Sequence, residues 1–406
     1  MIDERPARAR RASGIDGAGE ILALVRDGRA QTISELAAAM DMARSTVVQR
    51  VDHLTAAGLL VCEAVDLSVS TNGRGRPPAV LRFNADSGVV LAAQVGMSGI
   101  RVAAMNLAGA MLAEHLGPFP IESGPTAVVD HLAGALTAIV EAAGRRLSEV
   151  RGVGVGLPSA VELSTVQSVG PSPEESWEGF SLADKLRETF AVPTLVDVDA
   201  NMLALGEQRT AWPGVDVLLC VKVGTVIGCG TVVRGNVVAG AQGVAGNIGH
   251  ISVPGDRTPC PCGNLGCLDA VASGRALVER LRAAGLQVND VAHVASLARE
   301  GVPEAAQAVR AAGRCIGEVL AYAVNLLNPG VIALWGYLAD AETALLAGIR
   351  ESVYQRSLPS ATHSLQLVRA TLGDSAGLVG AAMMVASEIL SPDAVDEYLA
   401  AQARLT

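Results

Sequence analysis

The run GHISVPGDRTPCPCGNLGCLD, residues 249–269, carries the densest chemical signal in the chain. Its His250 precedes Cys260, Cys262 and Cys267 by 10, 12 and 17 residues. Between them Pro254, Gly255, Pro259, Pro261, Gly263 and Gly266 specify tight turns rather than a helix or strand. Such turns can draw three thiolates and one imidazole to a common point, and four such ligands with no open position match a closed tetrahedral structural zinc site. The alternative is three buried unpaired cysteines beside a satisfied core histidine, which leaves the Cys, Pro and Gly density without a packing reason. Cys62, Cys220, Cys229 and Cys315 stand alone in apolar settings and read as small core residues. Seven cysteines, three of them crowded together, fit metal binding in a reducing compartment better than a disulfide framework.

Outward from that loop, composition bounds the rest. A length of 406 residues suggests two or three domains. No apolar run reaches the roughly 18 residues needed to span a bilayer. The opening residues MIDERPARARR lead into no apolar leader segment, so a cytoplasmic protein without a membrane partner is expected. The net charge of −10 is unevenly spread. Residues 1–86 hold 11 Arg, no Lys and 11 acidic residues, whereas the remainder holds 20 basic against 30 acidic groups. A neutral, Arg-bearing head on an acidic body is compatible with DNA contact confined to the head.

The head itself reads as a helix-turn-helix. Ile21, Leu22, Leu24 and Val25 recur at helical spacing before Gly28. Thr32 and Glu35 have capping-box spacing ahead of a short helix through Leu36 to Met40. After a turn at Asp41 and Met42, a third helix places Val47, Val51 and Leu54 on one face and Arg44, Ser45, Thr46, Gln49 and Arg50 on the other. That polar face is the candidate reader of base edges. Two short strands, around Leu59–Val61 and Ala79–Phe83, flank SVSTNGRGRPP, a wing whose tip offers Arg74 and Arg76 to phosphates or a narrow minor groove. A solvated loop after a structural helical bundle is the other reading.

With these segments in hand, the sequence resembles the ROK family of bacterial repressors and sugar kinases. AGNIGHISV (245–253) followed by CPCGNLGCLD (260–269) looks like the family signature around its zinc. The likeness continues through LAAQVGMSGIRVAAMNLAGAML (91–112), GVGVGLPSAVE (152–162), LVDVDANMLALGE (195–207), VKVGTVIGCG (221–230), LNPGVIALWG (327–336) and DSAGLVGAAM (374–383). The resemblance implies an α/β chain: an N-terminal winged helix-turn-helix, then a two-lobed, actin-like ATPase (ribonuclease H-like) sugar-kinase fold. The implied division is a DNA-binding domain at 1–86, lobe 1 at 87–200 completed by a helix near 375–390, lobe 2 at 201–374 with the zinc loop 250–269, and a helical tail at 391–406. Apolar β-rich runs at 89–95, 100–107, 150–157, 217–223, 226–233 and 331–335, and helical patterns near 126–147, 303–327 and 375–390, agree with this plan.

The resemblance also assigns roles. Family kinases carry an Asp and a glycine-rich turn in the first phosphate loop, where this chain has Gln94, Gly96, Met97, Ser98 and Gly99. In the second loop Val226 and Cys229 replace glycines, and Trp335 stands where nucleotide needs room. Phosphoryl transfer is therefore not expected. Asp199 matches the family's catalytic Asp and is expected to hold ligand only; capping of a helix over Asn201–Gln208 is the alternative. Asn247 and Asp269 occupy positions where the family presents Glu to sugar hydroxyls, and His250 would serve both zinc and ligand. The expectation is a transcriptional regulator, a repressor, holding structural zinc. Its partners would be a double-stranded DNA operator, a sugar or sugar-derivative effector, and further copies of itself in a homodimer or homotetramer. An active sugar kinase with a DNA-binding head and a ligand-independent interaction platform are the competing classes.

Overall fold

A computed structural model describes residues 15–63, 79–96, 99–119, 123–158, 161–162, 167–168 and 180–404. Two compact units are present, each with its own core.

The first unit contains helices α1 (Ala18–Arg26), α2 (Ile33–Ala39) and α3 (Arg44–Ala56) and the antiparallel pair β1 (Leu60–Glu63) and β2 (Val80–Phe83). The capping box is complete: Thr32 Oγ1 accepts from the Glu35 amide, and the Glu35 carboxylate accepts from the Thr32 amide. Ile21, Leu22, Leu36, Val47, Leu54, Leu60 and Leu81 bury themselves in one core, each worth roughly 1.5–3 kcal/mol relative to exposure. Asp41, in a left-handed conformation, makes the turn into α3.

The second unit is built from two sheets. The first comprises β3 (Val89–Val95), β4 (Gly99–Asn106), β5 (Met111–Pro118), β6 (Val150–Leu157) and β9 (Thr194–Val198). Helix α4 (Pro125–Ala142), the short hairpin of β7 (Val161–Glu162) and β8 (Gln167–Ser168), and α5 (Leu182–Phe190) are interleaved. Helix α6 (Asp199–Thr210) leaves this sheet and leads to the second, made of β10 (Val217–Val223), β11 (Ile227–Val233), β12 (Asn236–Val237), β13 (Val331–Trp335) and β14 (Gln366–Arg369). Between and after its strands come α7 (Leu268–Ala272), α8 (Gly274–Ala283), α9 (Val291–Arg299), α10 (Pro303–Leu327), α11 (Glu342–Arg356), α12 (Pro359–Thr362) and α13 (Ala376–Ile389).

Strand order is β5-β4-β3-β6-β9 in one sheet and β12-β11-β10-β13-β14 in the other. Both follow the same plan: an antiparallel meander of three strands, then two further strands on the other side of the first, as the actin-like fold requires. Glycines let two helices meet backbone to backbone. A Cβ on Gly206 of α6 would stand 2.2 Å from the Ala376 carbonyl oxygen of α13, and one on Gly380 of α13 would stand 1.8 Å from that of Met202. Neither position can carry a side chain without displacing its neighbour.

The last helix, α14 (Pro392–Gln402), belongs to the first unit. The sequence reads 391–406 only as a helical tail. In the structure Asp396 accepts hydrogen bonds from the Gly17 amide at 2.7 Å and the Gly19 amide at 2.8 Å, so the far end of the chain caps the start of α1. No single helix among the described residues is long and apolar enough to cross a membrane.

Candidate functional sites

On the head, α3 buries Val47, Val51 and Leu54 and leaves Arg44, Ser45 and Gln49 exposed, with Thr46 half-buried. This is the polar face expected from the spacing. Arg50 behaves differently. It is half-buried, its guanidinium lies over Gly17 and donates to Met42 Sδ, and its buried Nε has no hydrogen-bond partner. The wing residues Arg74 and Arg76 lie outside the described residues.

The cysteine loop folds as a set of turns. Backbone bonds from Val253 to Gly266 (2.7 Å), Gly266 to Thr258 (2.7 Å) and Cys260 to Asn264 (2.9 Å) pin it, with Gly255, Gly263 and Gly266 at positive φ. One ligand atom from each of His250, Cys260, Cys262 and Cys267 falls within 4.8 Å of the others. His250 Nδ1 is 3.8 Å from Cys260 Sγ, and the Sγ atoms of Cys262 and Cys267 are 3.6 Å apart. A tetrahedron with Zn–S near 2.3 Å and Zn–N near 2.05 Å has S–S and S–N edges of about 3.8 and 3.6 Å, so these residues fit zinc. The electrostatics argue likewise. Burial and the neighbouring sulfurs push the Cys267 thiol up to about 12, while the Asn264 amide holds the Cys262 thiol below its usual value. Three thiolates persist together only around a cation.

The third site is a cleft in the second unit lined by Pro158, Val198, Asp199, Ala200, Lys222 and Asn247, among others, with a cavity of about 50 Å³. Asp199 opens α6 and its side chain is only 4% exposed, yet it is not alone: the Lys222 ammonium on β10 pairs with its Oδ2. Sequence reasoning missed Lys222; a lone Lys in an apolar strand was the available signal. Cys229 also lines the cleft, and burial pushes its thiol up to about 12, so it is a neutral group there. Asn247 is exposed at the edge. Asp269 is committed elsewhere: Oδ1 accepts from the Ile227 amide at 2.7 Å and Oδ2 from Arg275 at 3.2 Å. Burial raises its carboxyl above the usual range against the pull of those two donors.

The expected phosphate-loop positions can also be placed. Gln94 ends β3 with its side chain against the start of α13, where a Cβ on Gly377 would lie 2.5 Å from Oε1. Met97 and Ser98 lie outside the described residues. Trp335 donates from Nε1 to the Gly373 carbonyl at 2.7 Å and packs against a cluster that includes Leu203 and Ala333.

The sequence pattern of the ROK family matches residues 90–388. The xylose repressor of Caldicellulosiruptor bescii is 26% identical over 385 residues, covering 91% of this chain and 95% of its own. The glucokinase of Halalkalibacterium halodurans is 31% identical over 308 residues, covering 72% of this chain and 93% of its own. Among solved structures, a ROK family transcriptional regulator, a homologue of the Escherichia coli MLC protein, aligns with a TM-score of 0.80 at 23% identity, covering 95% and 98% of the two chains. By fold and by sequence over most of its length, the chain belongs to the ROK family.

Proposed function

We propose that the chain is a DNA-binding transcriptional regulator, a repressor of carbohydrate-related genes, whose body binds a sugar or sugar derivative without phosphorylating it. The observation that carries this reading is which part of the chain each class of relative matches. The repressor spans 91% of the chain and the glucokinase 72%, roughly what remains once the head is set aside. A winged helix-turn-helix ahead of a ROK body groups this protein with the regulators.

In this reading residues 1–86 bind the operator, 87–200 and 201–374 form the two lobes, and 391–406 is the helical tail. Arg44, Ser45, Thr46, Gln49 and Arg50 face the major groove and Arg74 and Arg76 the phosphates or minor groove. For Arg50 this requires the guanidinium to leave Gly17 on binding. Asp199, Asn247, His250 and Asp269 meet the effector; for Asp269 this requires its carboxylate to give up its bond to Ile227 or to Arg275. His250, Cys260, Cys262 and Cys267 hold a structural zinc, which when bound stabilises three thiolates and ties the loop together. A homodimer or homotetramer presents two heads to an operator with two-fold symmetry. The absent Asp at Gln94, the side chains of Val226 and Cys229 in the second loop and the Lys222–Asp199 pair all support binding without catalysis.

The test is anisotropy with a duplex from the region upstream of its own gene against a scrambled duplex, at two salt concentrations, with and without a panel of sugars. Salt-sensitive preference for the upstream duplex, altered by one of the sugars, is expected; equal binding to both duplexes refutes the reading. Asp199 and the glucokinase likeness favour the kinase as second reading. Sugar-dependent ATP turnover abolished by Asp199→Asn would establish it.

A further inference from the structure

We propose that Val48 of α3 seats on the C5-methyl group of a thymine in the operator, so that thymine is selected at this place by apolar contact. The inference rests on reading the head as an operator-binding domain, and it adds a base and the side chain that selects it.

The placement follows from the helix itself. Helix α3 buries Val47, Val51 and Leu54. At about 3.6 residues per turn, Ser45, Val48, Gln49 and Asp52 fall within a sector of roughly 100° on the side away from that buried face. All four are exposed, so Val48 stands within an otherwise polar stripe, directly before Gln49. Packing gives no reason for a valine there, because its side chain is 42% exposed. Helix propensity gives none either, since a β-branched residue in mid-helix is a poorer former than the Lys, Arg or Gln that usually faces water. Nor does the head expose such groups freely: among the described residues of the first unit, Val48 and Val61 are the large apolar side chains left exposed.

The chemistry of the stripe points to a base edge rather than to the backbone of the duplex. On its exposed side α3 carries one cation, Arg44, and one acid, Asp52, so that side brings no net charge to the phosphates. Arg50 turns its guanidinium over Gly17 and towards Met42. What mid-helix presents is an apolar group beside a side-chain amide. In the major groove the thymine methyl is the apolar group that a base pair offers, and a side-chain amide pairs with the N6 and N7 edge of adenine. Successive residues rise about 1.5 Å along a helix against about 3.4 Å per base step, so Val48 and Gln49 meet the same base pair or adjacent ones.

Deoxyuridine lacks the methyl group and keeps every hydrogen-bonding group of thymine, which makes it the probe. Anisotropy is measured for the full chain on the duplex from upstream of its own gene and on the same duplex with all thymines replaced by deoxyuridine. Burying one methyl is worth about fourfold in affinity, so the unaltered protein prefers the thymine duplex by about fourfold or more. Val48→Ala binds the thymine duplex more weakly and lowers that ratio by about fourfold. Val48→Thr, which keeps one of the two methyl groups, retains part of the ratio and covers a folding defect in the alanine variant. Gln49→Ala weakens binding to both duplexes and leaves the ratio alone, which separates the two contacts. A ratio near one for the unaltered protein overturns the proposal. So does a ratio undiminished in Val48→Ala, since uracil then acts through the shape of the duplex or through another side chain. Neither result touches the repressor reading, which is decided by the upstream against the scrambled duplex; failure to bind the upstream duplex at all would sink both.

Discussion

Replacing Cys267 by Ser is the sharpest test of the metal site, and its size can be worked out in advance. Cys267 contributes one sulfur to the cluster, is fully buried, and is the N-cap residue of α7. The Sγ–Sγ and Nδ1–Sγ separations of 3.6 and 3.8 Å are close to the edges a zinc tetrahedron needs, so little rearrangement offsets the lost thiolate. Lesions one shell out from a metal cost 10–100-fold in affinity, which makes about 100-fold a lower bound for a direct ligand. With free zinc about 1,000 times its dissociation constant, binding adds about 4 kcal/mol to stability; after a 100-fold loss it adds about 1.4. The difference of about 2.7 kcal/mol lowers the melting temperature of a unit this large by roughly 4–5 °C. The readouts are zinc per chain by elemental analysis and thermal unfolding at fixed free zinc. Cys62→Ser, at an exposed position remote in sequence from the loop, serves as the control and changes neither. If Cys267→Ser retains full zinc and an unchanged melting temperature, or if Cys62→Ser loses as much, the four-ligand site is wrong.

Three further outcomes follow from the same geometry. Zinc uptake near pH 7 releases about three protons, because the ligand thiols are largely protonated beforehand, and apparent affinity falls as pH drops; calorimetry in buffers of different ionisation enthalpy counts them. Gln49→Ala costs roughly 1–3 kcal/mol of preference for operator over scrambled duplex, whereas Arg74→Ala or Arg76→Ala weakens both and flattens the salt dependence; equal losses on both duplexes for Gln49→Ala would remove it from base readout. Burial raises Asp197 above the usual carboxyl range, so the folded state holds that proton more tightly than the unfolded chain and stability declines as pH rises through the interval between the two values. Asp197→Asn shows a smaller decline as pH rises above about 4 in urea unfolding, and an unchanged slope would contradict the assignment.

What the sequence disclosed and what it concealed divide by range. The clustering of His250 with three cysteines was legible because Cys260, Cys262 and Cys267 lie within eight residues, among Pro and Gly that leave few backbone paths. The capping box at Thr32 and Glu35 and the apolar face of α3 were legible because helix periodicity is local. The bond from Asp396 to Gly17 joins positions 379 residues apart, and no periodic pattern carries it. A helix opening on glycines with no Ser, Thr or Asp cap was its one trace. Arg50 belongs to the polar face by spacing, but its long side chain reached back over Gly17, a choice made by packing. The partners of Asp269 and of Asp199 were hidden for the same reason: Ile227 is 42 residues from the first and Lys222 is 23 from the second.

The repeated strand order of the two sheets has one more implication. Gln94 and Lys222 are the last residues but one of β3 and β10, the strands that open their respective sheets. Gln94 reaches the start of α13, the helix that follows the last strand of the other sheet, and Lys222 reaches the start of α6, which follows the last strand of the first. Each of these helices is therefore pinned at its first turn by the sheet it packs on, since Gly154 of β6 lies against Ala381 of α13 and Gly230 of β11 against Ala200 of α6, so both chain crossings between the lobes begin from a fixed point.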